Sequence, residues 1–179
     1  MKKIRKLNII LLKIYKRLLS IFKKIFWKCM YMDAFRCGKG TYFYPRCHIV
    51  IDKEGKILIG NNCFFNNNCS INSMKKIQIG NDCIIGENVC FYDHNHEYKL
   101  NTNLIRKQGY NKKEIKIGNN CWIGSNVIIL AGINIGNNVV IAAGTIVSKS
   151  IDDNCIVMNK SNLAMLPYTT YKNKGECNE

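Results

Sequence analysis

The feature that most constrains this chain is an apolar residue that recurs every six positions between residues 59 and 147. The recurrence comes in three blocks, which begin at Ile59, Ile79 and Ile117. The recurring residues are Ile59, Phe65, Ile71, Ile79, Ile85, Phe91, Ile117, Ile123, Ile129, Ile135, Ile141 and Val147. A six-residue unit with an inward apolar position predicts a short strand followed by a turn.

A second inward position, four residues after most of these, holds a small or branched side chain. Its occupants are Cys63, Cys69, Cys83, Val89, Cys121, Val127, Ile133, Val139 and Thr145. Glycine and asparagine crowd the turns, where residues must tolerate a positive φ angle. One such unit cannot bury its apolar side chains alone, so we expect successive units to stack into an all-β parallel β-helix.

The ten cysteines of the chain indicate neither a disulfide framework nor a zinc module. There is no Cys-x2-Cys pair, and only three histidines are available as further ligands. Four of the cysteines instead occupy the small inward position of the repeat. We therefore expect reduced, buried cysteines, a cytoplasmic protein and no bound metal.

The N-terminal segment is strongly basic: residues 1–32 carry ten basic side chains and no acidic one, in a chain of net charge +15. At about 100° per residue, the cations of residues 2–28 gather on one side of a helix, opposite an apolar stripe. The apolar stripe consists of Ile4, Leu7, Leu11, Ile14, Leu18, Phe22 and Ile25. Two apolar residues, Ile9 and Trp27, fall on the basic side instead.

A basic amphipathic helix is typical of a segment that lies on an anionic cytoplasmic membrane surface. We expect residues 2–28 to bind the inner face of the cell membrane in this way. The longest charge-free stretch, Leu7 to Leu12, is far below the roughly 20 residues that cross a bilayer. The alternative is that the apolar stripe packs on the folded domain or on a neighbouring subunit. Nucleic acid is not an expected partner, because the aromatic residues lie away from the lysines.

The six-residue rhythm stops between Phe91 and Ile117. The interruption, residues 92–116, begins Tyr-Asp-His-Asn-His-Glu-Tyr and so contains two of the three histidines. Long irregular insertions in compact domains are usually either functional or disordered. We therefore expect this insertion to shape the functional site.

The runs IGNNCWIGSNVIILAGINIGNNVVIAAGTIVSK and IGNDCIIGENVCFYDHNHEY resemble the hexapeptide-repeat acyltransferases, in their branch of bacterial sugar and polysaccharide O-acetyltransferases. The resemblance implies a left-handed β-helix, homotrimers with active sites between neighbouring subunits, and acetyl-CoA as the acyl donor. It divides the chain into a helix and linker over residues 1–37, a β-helix over residues 38–155 and a tail over residues 156–179.

The resemblance also implies roles for particular residues. His94 would be the general base that removes the hydroxyl proton, and the backbone amide of Ser125 would donate to the developing oxyanion. The residues implied to contact coenzyme A are Trp122, Ser125, Ala143, Gly144, Ser148, Lys149 and Lys160. The residues implied on the acceptor side are Asn66, Asp93 and His96. Asp93 could equally orient an imidazole or start a turn.

Two further observations bear on the resemblance. Many relatives end the last coil with a Gly-x-Pro-Ala-Lys/Arg segment that helps to hold the cofactor, whereas residues 158–164 here are Met-Asn-Lys-Ser-Asn-Leu-Ala. The clamp is expected to be rebuilt around Lys160 or to be weak. Carbonic anhydrases of this fold bind zinc through three histidines, but His48, the third histidine here, lies far from the insertion.

These features together predict an acetyl-CoA-dependent O-acetyltransferase that acts on a sugar hydroxyl of a surface polysaccharide or lipid-linked glycan. A small soluble acceptor, such as serine, an antibiotic or a free sugar, is an alternative that would not need a membrane-binding helix. The alternative of a different class is a catalytically silent binding or scaffold protein. The altered segment 158–164 favours that alternative.

Overall fold

The computed structural model describes residues 2–99 and 104–159. One helix, α1 (Lys2–Tyr31), is followed by a short 3-10 helix, Met32–Ala34, and then by the strands. A second short 3-10 helix, Ile105–Lys107, lies inside the insertion. Within the described residues, all strands but two belong to three parallel sheets.

The strands of each sheet come from successive circuits of the chain. The first sheet contains β1 (Phe35–Cys37), β4 (Ile57–Ile59), β7 (Ile77–Ile79), β12 (Ile115–Ile117) and β15 (Asn134–Ile135). The second contains β2 (Tyr42–Phe43), β5 (Phe64–Phe65), β8 (Ile84–Ile85), β13 (Trp122–Ile123), β16 (Val140–Ile141) and β18 (Ile156–Val157). The third contains β3 (His48–Ile51), β6 (Ser70–Ser73), β9 (Cys90–Tyr92), β14 (Ile128–Ile129) and β17 (Ile146–Val147). The remaining two strands, β10 (His94–His96) and β11 (Tyr110–Lys112), pair antiparallel with each other.

The predicted parallel β-helix is confirmed, because each circuit adds one strand to each of the three sheets. The circuits form about five coils, since the first and third sheets have five strands each. The arrangement is consistent with the left-handed form that the resemblance implies. The corners between the sheets are formed by turns, and these turns position the candidate site.

The core of the β-helix is built from the recurring apolar residues, all twelve of which are buried. Parallel register stacks equivalent residues of successive coils: Ile59 pairs with Ile79, and Ile79 with Ile117. The small inward positions are buried as well, from Cys63 to Thr145. Burial of an isoleucine side chain contributes about 1.5–3 kcal/mol, so these columns are the main source of stability.

Asparagine ladders hold the corner between the first and second sheets. The backbone N–H of Asn81 donates to Oδ1 of Asn119 at 2.8 Å, and that of Asn119 donates to Oδ1 of Asn137 at 2.9 Å. Asn120, with a φ of 53°, adopts the left-handed conformation that asparagine tolerates. Gly118 is required in this corner, because a Cβ there would lie 2.6 Å from a carbonyl oxygen of the next coil.

The inward cysteines are free thiols in the core. The Sγ atoms of Cys63, Cys83 and Cys121 donate to carbonyl oxygens of the following coil at 3.1, 3.3 and 3.2 Å. None of the cysteines within the described residues forms a disulfide. Outside this column, burial raises the pKa of the Cys37 thiol to about 11, so this side chain stays protonated near neutral pH.

The β-helix begins earlier than the six-residue rhythm indicates. β1, β2 and β3 form a first coil, with Phe35, Phe43 and Ile49 in its core. The spacing from Phe43 to Ile49 is six residues, but the spacing from Phe35 to Phe43 is eight (43 − 35), so the period alone does not find β1. The first strand therefore lies within the segment 1–37 that the sequence assigns to helix and linker, and β18 extends to Val157.

α1 covers the open end of this first coil with its basic side. Trp27 is only 5% exposed, and its ring lies 5.8 Å from that of Phe35 and 5.0 Å from that of Phe43. Trp27 is the apolar residue that interrupts the basic side of the helical pattern, and its side chain makes the contact between α1 and the first coil. The alternative that the apolar stripe packs on the folded domain is wrong, because stripe residues such as Phe22 are exposed on the opposite side.

Candidate active site

The insertion after β9 forms an arm beside the β-helix. β10 pairs antiparallel with β11, with His94 opposite Lys112 and His96 opposite Tyr110. The chain then enters the first sheet through β12. Because β9 belongs to the third sheet and β12 to the first, the arm attaches at the corner between these two sheets. Both histidines of the insertion belong to this corner.

Asp93 anchors the arm to the β-helix. Its side chain is 0% exposed, and its carboxylate accepts hydrogen bonds from Ser73 Oγ at 2.8 Å and from the N–H groups of Met74 at 2.7 Å and Lys75 at 2.8 Å. A fourth contact of 3.1 Å joins Oδ1 to Nδ1 of His94. The Asp93 oxygens are buried and already hydrogen-bonded in this structure, so its contact with the acceptor stays a prediction. Its position suits the alternative of orienting the imidazole.

His94 is held by this carboxylate at the surface of the corner. Its side chain is 19% exposed, and the edge of its ring meets Tyr110 at a centroid distance of 5.7 Å. Because Nδ1 faces a carboxylate, it carries the proton of the neutral ring and leaves Nε2 as the acceptor. A fixed, partly exposed imidazole whose Nε2 has no hydrogen-bond partner within residues 2–99 and 104–159 has the arrangement that a general base needs.

His96 differs from His94 in its surroundings. Its side chain is exposed, and its ring lies 4.5 Å from that of Tyr110. Among the described residues, no carboxylate is hydrogen-bonded to its ring. The groove that it lines, of about 320 Å³, is formed by Asn95, His96, Glu97, Tyr98, Lys99 and Asn111. The position suits a contact to an acceptor better than a fixed base.

Ser125 lies in the corner between the second and third sheets. Its Oγ accepts the N–H of Glu87 at 3.1 Å, and its carbonyl oxygen accepts the N–H of Gly144 at 2.9 Å. Within residues 2–99 and 104–159, its own N–H has no hydrogen-bond acceptor. Ala143 and Gly144 are exposed beside it in the next coil, and Gly144 has a φ of 74° with nothing within 4 Å of its Cβ position. A donor next to open backbone surface suits an oxyanion contact.

Trp122 borders the same corner from the outer face of the second sheet. It pairs in register with Ile84 on one side and Val140 on the other. Its ring is exposed, because no described element covers the outward face of this sheet at Trp122. Asn66 lies in the same corner two coils before Ser125, directly after β5.

The structure therefore divides the predicted site residues between two corners. Trp122, Ser125, Ala143, Gly144 and Asn66 belong to the corner that precedes the third sheet. Asp93, His94, His96, Ser148 and Lys149 belong to the corner that follows it. The candidate base and the candidate oxyanion donor are thus separated by the third sheet in one copy. Lys160 lies outside the described residues.

Sequence reasoning missed the support beneath Asp93. Ser73 lies 20 residues before Asp93 (93 − 73), the same spacing that relates Ile59 to Ile79 in successive coils. This coil-to-coil spacing is a signal that could have paired the two side chains. Tyr110, which contacts both histidines, had no such signal because it lies in the irregular insertion. Within the described residues, no cluster of three His, Cys, Asp or Glu side chains could hold a metal ion.

Comparison with known proteins agrees with this architecture. A profile described as the hexapeptide repeat of succinyl-transferase matches residues 114–149. A galactoside acetyltransferase, solved in complex with coenzyme A, is 32% identical at a TM-score of 0.63, and the match covers 72% of this chain and 62% of that one. A hexapeptide-repeat acetyltransferase from Vibrio cholerae O1 biovar eltor, solved with acetyl coenzyme A, is 26% identical at a TM-score of 0.61, with 72% and 68% covered.

An N-acyltransferase from Bacillus cereus shares the fold at 15% identity and a TM-score of 0.63, with 79% of this chain and 78% of that one covered. A search of curated protein sequences gave no significant match. The chain spans 62% of the length of the galactoside acetyltransferase. The chain thus has the hexapeptide repeat and the parallel β-helix of the hexapeptide-repeat acyltransferases, and it is similar to members of that family.

Proposed function

We propose that this protein is an acetyl-CoA-dependent O-acetyltransferase that acts on a sugar hydroxyl. The observation that carries the proposal is the Asp93–His94 pair at the interruption of the repeat. Similarity to a galactoside acetyltransferase solved with coenzyme A supports both the donor and the sugar class of the acceptor. A surface polysaccharide or a lipid-linked glycan is the acceptor that suits an enzyme bound to a membrane.

In the proposed mechanism, Nε2 of His94 removes the proton of the acceptor hydroxyl as its oxygen attacks the acyl carbon. Asp93 holds the ring through Nδ1 and stabilises the positive charge that the imidazole acquires. The N–H of Ser125 donates to the acyl oxygen while negative charge develops there. Acetyl-CoA supplies the activated acyl group, and the proton on His94 passes to the departing thiolate.

A complete site needs a second copy of the chain, because the base and the oxyanion donor lie at different corners of one β-helix. We propose a homotrimer in which a threefold rotation brings the His94 corner of one copy against the Ser125 corner of the next. Trp122 and Gly144 would then wall the donor side, and His96 would face the acceptor. Asn66 would contact the acceptor from the second copy.

The remaining donor contacts are assigned to the later coils. Ser148 and Lys149 are exposed after β17 and would contact coenzyme A across the subunit boundary. Ala143 exposes its backbone next to Ser125, which leaves room for the donor chain. Lys160 would replace the missing Gly-x-Pro-Ala-Lys/Arg segment as a cation for the cofactor.

The location that we propose is the cytoplasmic face of the cell membrane, with residues 2–28 as the contact. In this division of the chain, α1 attaches the enzyme, and the β-helix from β1 to β18 carries the chemistry. Among the helices of the described residues, none combines the length and the apolar character needed to cross a bilayer.

The direct test measures release of free coenzyme A from acetyl-CoA in the presence of a panel of sugars. His94→Ala should fold normally and lower turnover by about 10²-fold or more, the usual scale for a lost general base. His96→Ala should lower turnover much less. Equal losses from the two variants, or a larger loss from His96→Ala, would contradict the assignment of the base.

The same assay separates an enzyme from a scaffold. The altered segment 158–164 is the feature that favours a catalytically silent protein. A scaffold would release no coenzyme A above the spontaneous rate with any sugar, and neither histidine variant would then change the result.

A further inference from the structure

The basic side of α1 donates to the open edge of the first coil. Nζ of Lys23 donates to the carbonyl oxygen of Cys47 at 3.0 Å, and Nζ of Lys24 to that of Thr41 at 2.8 Å. Burial lowers the pKa of Lys23 below its usual value. These two lysines therefore cap backbone groups that no further strand pairs, and they are not free surface charges.

Three other side chains fix the same contact. Ser20 Oγ accepts the N–H of Phe43 at 2.8 Å, and the Tyr31 hydroxyl donates to the carbonyl oxygen of Ile49 at 3.1 Å. Trp27 is buried between them. The second half of α1 is thus fixed on the β-helix. These contacts hold the basic side of α1 against the first coil and turn the apolar stripe away from it.

Among the described side chains of α1, the exposed cations are Arg5, Lys6, Lys13, Arg17 and Lys28. The last four form a cation row, because they fall within about 60° of one another around the helix axis. Lys24 shares this direction, but its Nζ is bonded to the carbonyl oxygen of Thr41. Lys13 and Arg17 also line a groove of about 400 Å³ between α1 and β2, together with Tyr42 and Tyr44. α1 contains no acidic residue, so no charge within the helix neutralises this row.

The apolar stripe lies beside the row, and among its residues only Ile14 also lines the groove with Tyr42 and Tyr44. Every residue of the stripe is exposed, and Phe22 reaches 68%. An apolar surface of this length is expected to meet a partner. A second copy is a poor fit, because packing of stripe on stripe would bring two cation rows together.

Building on the proposed membrane location, we propose that α1 is a preformed anchor for a bilayer rich in anionic lipids. The apolar stripe enters the interface, the cation row binds lipid phosphates, and the first coil faces the membrane. Charge complementarity selects this partner, because the stripe is flanked by cations and by no acid. Lys23 and Lys24 contribute to the fold and little to lipid binding.

The test measures the partition of the full-length protein onto vesicles, without acetyl-CoA or acceptor, so a failure of the proposed activity cannot affect the result. Vesicles of phosphatidylcholine alone are compared with vesicles that also contain phosphatidylglycerol. The wild type should bind only the second kind and detach at high salt. Lys13→Gln/Arg17→Gln should lower the partition coefficient about 30-fold, which is ~1 kcal/mol for each cation.

The matched control is Lys23→Gln/Lys24→Gln, with the same change of charge on the same helix. It should lower the melting temperature and reduce partition by less than about threefold. If the double variant does not fold, Lys23→Gln alone serves as the control. Equal losses from the two pairs, or equal binding of the wild type to both kinds of vesicle, would overturn the proposal. A third variant, Leu18→Glu/Phe22→Glu, tests whether the apolar stripe packs against another copy. A lower oligomeric mass of this variant in solution without vesicles would also overturn the proposal.

Discussion

The β-helix and α1 use apolar residues in opposite directions. In the β-helix, the side chains that recur every six positions point inward and are buried. In α1, the side chains of the apolar stripe point outward and are exposed, while the basic side packs on the first coil through Trp27. Periodicity therefore identifies which residues share a face, whereas the neighbouring element decides where that face points.

The reason lies in what each region must bury. A closed coil has an interior, and two apolar positions in each unit are enough to fill it. α1 instead meets an open strand edge, whose unpaired backbone groups need polar partners. Each such group left buried without a partner would cost about 1–3 kcal/mol. Lys23, Lys24 and Ser20 supply those partners, and the apolar stripe could not.

The largest expected effect on stability concerns the one large apolar residue that α1 buries. Trp27→Ala should lower the free energy of unfolding by about 3–5 kcal/mol, because it empties a space between two core rings. Phe22→Ala, on the opposite side of the same helix, should change it by less than about 0.5 kcal/mol. Denaturant unfolding of the two variants without membranes measures the difference. Similar losses would show that the apolar stripe is also packed against protein.

A smaller effect is expected in the cysteine column. Cys63→Ser should destabilise the fold by about 1 kcal/mol, the low end for a buried hydroxyl. A serine hydroxyl at position 63 would find an acceptor in the carbonyl oxygen of Gly80, to which the Cys63 thiol now donates. Thr41, at the equivalent position one coil earlier, shows this arrangement, because its hydroxyl donates to the carbonyl oxygen of Gly60 at 2.8 Å. Cys29→Ser on the exposed surface of α1 is the control and should have no effect. A loss of several kcal/mol in Cys63→Ser would mean that this column does not accept a hydroxyl.

Much of the fold could be predicted from the sequence because its period is regular. The twelve recurring residues are buried as expected, and the four cysteines at the small inward position, Cys63, Cys69, Cys83 and Cys121, occupy the core for the reason that the repeat gives, whereas Cys29 is exposed. The first strand could not be found in this way, since Phe35 and Phe43 are eight residues apart, whereas Phe43 and Ile49 are six residues apart. The direction of α1 was equally hidden, although Trp27 on the basic side was its one visible sign.

The candidate site was predictable only in part. The break in the repeat indicated the insertion, the resemblance implied His94 as the base, and the structure shows its hydrogen bond to Asp93. That His94 and Ser125 occupy different corners depends on which sheet each strand joins, and six-residue spacing alone does not reveal this. The base assigned to His94 and the oxyanion role assigned to Ser125 remain predictions for the assays above.

The central claim is that the site combines the His94 corner of one copy with the Ser125 corner of another. It is tested most directly by mixing two inactive variants. His94→Ala removes the base, and Ala143→Trp fills the exposed surface beside Ser125. Each variant alone should have almost no activity. Trimers assembled from equal amounts should recover about one quarter of the wild-type turnover, because one half of the bases are intact and one half of those face an intact neighbour. Turnover that stays at the level of the separate variants in mixed trimers would contradict the claim.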